Sequence, residues 1–204
     1  MLFCSFSYLY AQNNRISTGI EPNWVTHNSI EYNNSKFNSE AEDGYIDLAF
    51  EKQVSLSENS RFFKVAFKIL SETGVENRSK ISIDFDPSYE QIIFHSIKII
   101  RRSSSINKLD LSKIKSIQQE KELDRFLYNG TLSAVLILDD IRKGDVLEYS
   151  YTRKGVNPIL NGKYTDMYDV QFSAPICHLF YKLIIPPERQ ITIKIQKRTS
   201  GLSL

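Results

Sequence analysis

The most restrictive feature of this 204-residue chain is a two-residue hydrophobic period that starts after Gly44 and recurs almost to the end. Alternate side chains of an extended strand point to opposite sheet faces, so this period describes strands with one buried and one wetter face. Ile46, Leu48, Phe50, Val54 and Leu56 share one parity. Phe63, Val65, Phe67 and Ile69 share another, with Lys64 and Lys68 between them. Ile81, Ile83 and Phe85 alternate with Ser82 and Asp84, and Ile93, Ile97 and Ile99 repeat the pattern with His95 on their face. Further strands are predicted at Leu132 to Leu138, Val146 to Tyr151, Tyr168 to Ser173, Leu179 to Ile185 and Gln190 to Gln196.

Turn chemistry punctuates the runs. Thr73-Gly74, Asp86-Pro87, Asn157-Pro158 and Asn161-Gly162 read as turns, and Arg101-Arg102-Ser103-Ser104-Ser105 as a hairpin tip. Asp139 to Asp145 forms another turn around Gly144, which is free to take positive φ. About ten short strands so divided predict an all-β fold of antiparallel, β-sandwich-like sheets. Residues 43–204 form one such domain, or two packed sub-sheets. One short helix is expected near residues 118–127, where Leu123, Phe126 and Leu127 fit one helix face. Residues 12–42 are rich in Asn, Ser and Glu and read as a loose polar leader. Residues 1–11 are apolar and end in Ala11 before Gln12, the pattern of the end of a signal peptide, although no basic residues precede it. The expectation is export to the periplasm or cell envelope. No stretch reaches the roughly 18 apolar residues of a membrane span.

Charge removes one large class of function. The 26 Lys+Arg nearly balance the 24 Asp+Glu, with no basic stripe of the kind nucleic-acid binding needs. Arg101-Arg102 and Lys194 to Arg198 are short and read as solvated strand ends. Of the two cysteines, Cys4 lies in the predicted signal segment, so Cys177 stands alone and makes neither an intrachain disulfide nor a cysteine metal site.

Cys177-His178 pairs a nucleophile with a base in sequence. Neighbours on a strand diverge, so the expectation is a buried thiol beside an exposed imidazole. His95, among isoleucines, reads as a hydrogen-bonded core or edge residue, and His27 has no visible partner. Three isolated histidines have no metal-ligand spacing. Asp139, Asp140 and Asp145 offer oxygens to a hard cation, but Arg142 and Lys143 sit among them, which favours a solvated turn. Tyr149, Tyr151, Tyr164 and Tyr168 are the candidate ligand or partner surface, an aromatic platform for sugar or peptide. At strand spacing the same residues also suit a core or a covered sheet face. No phosphate-cradling glycine loop or nucleophile elbow is present. No catalytic residue, cofactor or metal is expected.

Several segments carry a resemblance in order. Ile81 to Glu90 leads into Ile93 to Ile97, then Lys108 to Lys115, Glu120 to Leu123, Leu127 to Gly130, and Asp139 to Tyr151. From about Trp24 to Ile195 the chain resembles the domain-of-unknown-function family found N-terminal to transglutaminase-like domains in exported proteins of Gram-negative bacteria. The resemblance implies a β-sandwich-like domain and export. In longer members it also implies a papain-like Cys-His-Asp domain downstream, beyond Leu204, so Cys177 inherits no catalytic role. The expected function is a non-catalytic accessory or interaction domain, truncated or stand-alone. Its partner would be a transglutaminase-like domain or a cell-envelope protein. The alternatives are the N-terminal part of a cysteine peptidase or transglutaminase-like enzyme, and a surface glycan- or peptide-binding module.

Overall fold

The computed structural model describes residues 15–102, 104–118, 130–170, 172 and 175–195. The predicted signal segment and residues 119–127 of the predicted helix lie outside them. The architecture is all-β, as the two-residue period requires. The strands are β1 (Ile16–Thr18), β2 (Tyr45–Ser55), β3 (Ser60–Ile69), β4 (Lys80–Phe85), β5 (Gln91–Arg101), β6 (Ser104–Asn107), β7 (Lys115–Gln118), β8 (Leu132–Ile137), β9 (Val146–Lys154) and β10 (Leu179–Ile184).

They form two sheets. The larger has the order β1-β5-β9-β3-β2-β10, with β6 also on β5, and the smaller the order β4-β8-β7. Most pairings are antiparallel, but β1 runs parallel to β5 and β10 parallel to β2. The main core lies between the sheets. Phe67, Ile92, Phe94, Ile97, Ile99 and Leu147 from the larger sheet meet Ile81, Ile83, Phe85, Ala134 and Leu136 from the smaller. A smaller cluster of Ile46, Leu48, Ala49, Ala66 and Val146 lies apart from it, packed by Ile30, Tyr32 and Phe37 of the leader.

Two bulges correct the predicted faces. The β2–β3 register shifts between Asp47 and Ala49, so Ile46 and Leu48 join the leader-side cluster while Phe50 pairs with Val65 and turns the other way. The β5–β9 register shifts between Phe94 and Ser96. Ile97 and Ile99 therefore enter the main core with Ile92 and Phe94, and Ile93 and His95 do not share their face. One extra residue on a strand inverts the parity of everything beyond it.

Other elements also differ from expectation. Thr73-Gly74 is not a turn but part of the helix α1 (Glu72–Arg78), whose first turn is capped by the Ser71 hydroxyl accepting from Gly74 N–H at 3.3 Å. Gly74 is required there because a methyl on it would overlap the Gly44 backbone. That carbonyl accepts from Leu70 and Ser71 at 2.8 and 3.1 Å. Gln118, expected to open a helix, pairs with Leu132 in β7. The described residues of Tyr168 to Ser173 and of Gln190 to Gln196 form no strand. No helix among the described residues is long and apolar enough to cross a membrane.

Candidate functional site

The four nominated tyrosines split into two unrelated pairs. Tyr149 and Tyr151 lie on β9 and turn inward, stacked at 6.3 Å between ring centroids. Tyr151 also stacks on Phe63 at 4.9 Å and meets Phe94 at 6.2 Å. Burial pushes the Tyr149 phenol up to about 12 and raises that of Tyr151 as well. Tyr151 therefore fills the core, and Tyr149, half-buried, packs against it. Their spacing is that of a strand whose inner face is apolar, and this is the reason they turn inward.

Tyr164 and Tyr168 lie on the segment that follows β9, laid over β2 and β10. Tyr168 packs on Tyr181 at 4.5 Å and stacks on Phe50 at 6.4 Å. The Tyr164 hydroxyl donates to Asp166 at 2.7 Å, and Tyr181 reaches the same carboxylate at 3.3 Å. Lys52, a buried cation on β2, closes the group with bonds of 2.7 and 2.6 Å to the two Asp166 oxygens. Burial alone would raise the Asp166 pKa, but hydrogen bonds from Lys52 and Tyr164 outweigh it and hold the carboxyl below its usual value. Burial, then bonding to Tyr181 and Asp166, pushes the Tyr164 phenol up. The polar ends of this cluster face each other, so it locks residues 164–168 onto the sheet. Lys52, Asp166 and Tyr181 were not nominated from sequence. Lys52 alone had a signal, as a charge inside a strand-length run.

The cysteine and histidine at 177–178 behave differently from the alternation argument. The chain bends at Cys177, between an isolated Asp47–Ile176 bridge and β10. Both residues consequently line one open cleft of about 370 Å³ with Ser29, Glu31, Asn34 and Leu48. They still answer to different partners. Cys177 packs on the leader-side apolar cluster, and burial raises its thiol pKa, which keeps it protonated near neutrality. The His178 ring stacks on Phe180 at 6.2 Å and turns Nε2 to the buried Glu51 at 3.5 Å.

His95 is tied into the structure at both ring nitrogens, 2.9 Å from the Gly19 carbonyl and 2.8 Å from Thr152 Oγ1. Burial lowers its pKa. His27 faces Glu21 at 3.2 Å on the surface. Among the described residues no three His, Cys, Asp or Glu side chains converge as a metal site.

The acidic turn is answered by protein cations. Arg101 grips the buried Asp145 with Nε–Oδ1 at 2.9 Å and Nη2–Oδ2 at 2.8 Å, and holds Asp140 at 3.0 Å. Arg142 binds Asp140 at 2.7 Å, and Lys108 binds Asp139 at 2.7 Å. Hydrogen bonds from these cations lower the Asp139 and Asp140 pKa values. The turn is thus cross-linked to the β5–β6 hairpin, and Arg101 is a clamp rather than a solvated strand end.

The leader is held by a row of polar bonds. Gln53 on β2 mimics a peptide group, accepting from Thr26 N–H at 2.8 Å and donating to the Thr26 carbonyl at 2.7 Å. Lys182 donates to the Trp24 carbonyl at 2.9 Å, Ser150 to Glu21 at 2.8 Å, and Tyr32 to Glu148 at 2.6 Å.

Together these features define a β-sandwich domain whose buried polar groups mostly bind its own segments to one another. The chain belongs to the family described as "Domain of Unknown Function with solved-structure structure (DUF3857)", which matches residues 57–203. No curated protein matches it. Among solved structures it is similar to a "putative protease" from Parabacteroides distasonis ATCC 8503, with 13% sequence identity and a TM-score of 0.46. That match covers 54% of this chain and 23% of the other, so this chain corresponds to about a quarter of that protein's length.

Proposed function

We propose that this chain is a non-catalytic interaction domain of an exported, transglutaminase-associated protein. The observation that carries the reading is the uneven surface. Among the described residues, eight of the twelve exposed large apolar side chains fall between Val156 and Ile195, including Met167 at 82%, Val170 at 65% and Ile193 at 74% exposed. Exposed apolar side chains mark interaction surfaces where they gather into one patch. The raised pKa of the Cys177 thiol, packed on the leader-side apolar cluster, and the turn of His178 Nε2 toward Glu51 support a structural role for both. Membership of the family, together with the segments quoted above, supports a place in front of a transglutaminase-like domain in the cell envelope.

The test is turnover by the purified chain. Amide hydrolysis and amine transfer are expected to stay at the buffer rate, in wild type and in Cys177→Ala alike. Reproducible turnover abolished by Cys177→Ala would overturn the proposal.

A further inference from the structure

Among the described residues the large sheet ends at β10, which has a neighbour only on its β2 side. Phe50 N–H donates to the His178 carbonyl at 2.9 Å and Leu56 N–H to the Ile184 carbonyl at 3.1 Å. Alternate residues of a strand face the same neighbour, so Phe180 and Lys182 also turn their backbone groups to β2, and Leu179, Tyr181 and Leu183 turn theirs away. Among the described residues, no backbone hydrogen bond reaches those outward groups. Natural edge strands are usually blunted by proline, a bulge or a free lysine. β10 has no proline or bulge, and its one lysine, Lys182, is engaged with Trp24 and Thr26 of the leader.

The same chain carries a segment with strand alternation that forms no strand of its own. Gln190–Ile195 alternates Ile191, Ile193 and Ile195 with Gln190, Thr192 and Lys194, and equals β10 in length. Among the described residues it pairs with nothing, and Ile193 and Ile195 are 74% and 85% exposed. It does not fold back along its own β10. Arg189 N–H closes a turn onto the Pro186 carbonyl at 3.0 Å, and its guanidinium is bonded to the Gly162 carbonyl. Gly162 and Arg189 line one cavity with Leu56 and Asn59, which anchors Arg189 at the β2–β3 turn.

We infer that two copies of this chain associate by reciprocal strand addition, with Gln190–Ile195 of each pairing antiparallel to the free edge of β10 in the other. This builds on the interaction reading above and names the partner as a second copy. Each copy supplies one acceptor edge and one donor strand, which is the requirement for a closed two-fold interface. Specific interfaces begin on the order of 1,200 Å² in total, the scale the two additions together must reach. Main-chain bonds would supply the attraction, and Ile191, Ile193 and Ile195 would fix the register.

Light scattering of the full chain across a concentration series, with amide exchange read in parallel, tests this. The expected result is a mass that doubles with concentration, together with protection of the Leu179, Tyr181 and Leu183 amides that rises with it. Thr192→Pro removes a backbone donor, and Ile193→Lys removes an apolar contact. Both lie outside the folded strands, so thermal melting of the monomer reports that the fold is kept. Each should return the protein to the monomer mass and expose the three amides. A monomer at every concentration, with those amides exposed, would overturn the inference. So would a monomer with them protected, the signature of a hairpin in one chain, or a dimer indifferent to both variants. Protection arising only when a transglutaminase-like domain is added would replace the second copy with that partner. None of these outcomes bears on turnover, so the inference and the proposed function fail separately.

Discussion

Replacing Tyr151 with alanine separates a core tyrosine from a ligand-binding one. Tyr151 is 9% exposed and wedged between Phe63 and Phe94. Truncating a buried aromatic residue to alanine costs about 3–5 kcal/mol, through lost transfer free energy and the cavity left behind. The two ring contacts add about 0.5–1.5 kcal/mol each when their geometry is favourable. A loss of about 4 kcal/mol is therefore expected. With a urea m-value of about 2–3 kcal/mol/M for a chain of this size, the unfolding midpoint should fall by roughly 1.5 M. Tyr151→Phe keeps the ring and its packing and should shift the midpoint by less than about 0.5 M. The assay is urea unfolding followed by far-UV circular dichroism and by tyrosine fluorescence, with coincident curves required before free energies are compared. A Tyr151→Ala midpoint within error of wild type would refute the placement of this residue in the core. It would restore the aromatic-platform reading of β9.

Two further outcomes test other parts of the structure. Gln53→Ala should cost about 1–3 kcal/mol, because both bonds to the Thr26 peptide are lost in a buried setting. It should also speed protease cleavage between residues 21 and 32, and unchanged cleavage would show that the leader is held elsewhere. For His95 the sign follows from burial, which lowers its folded pKa below the ordinary 6.5. The unfolded state then binds the proton more readily, so the contribution of the neutral ring is present above about pH 6.5 and is lost as pH falls through the folded value. Urea midpoints at pH 7.5 and pH 5 should differ more for wild type than for His95→Gln. Equal differences would place the acid sensitivity on other groups.

Local chemistry in the sequence was enough to specify the all-β class and most strands. It also specified the Arg101–Ser105 hairpin tip, where Arg102 takes φ of 56°, and the Asn161-Gly162 turn, with φ of 46° and 75°. These depend on alternation and turn propensity, which act over a few residues. Helix α1 was not legible, because glycine and a β-branched threonine are weak helix formers and the Ser71 cap outweighs them only in this setting.

The candidate site divides along the same line. The sequence nominated Tyr164 and Tyr168 but not Lys52, Asp166 and Tyr181, which reach them only through the parallel pairing of β10 with β2. It placed Arg101 at a hairpin tip and Asp145 in a turn, yet their 2.8 Å contact spans 44 residues of chain. The bulges at Leu48 and His95 were hidden for a related reason. Whether a strand takes an extra residue depends on what its neighbours and the opposite face must bury, so the same alternating sequence is compatible with either face. The sequence by itself determined most of the strands. The assignment of their faces, and the partners their buried charges meet, arose only when distant strands paired and packed.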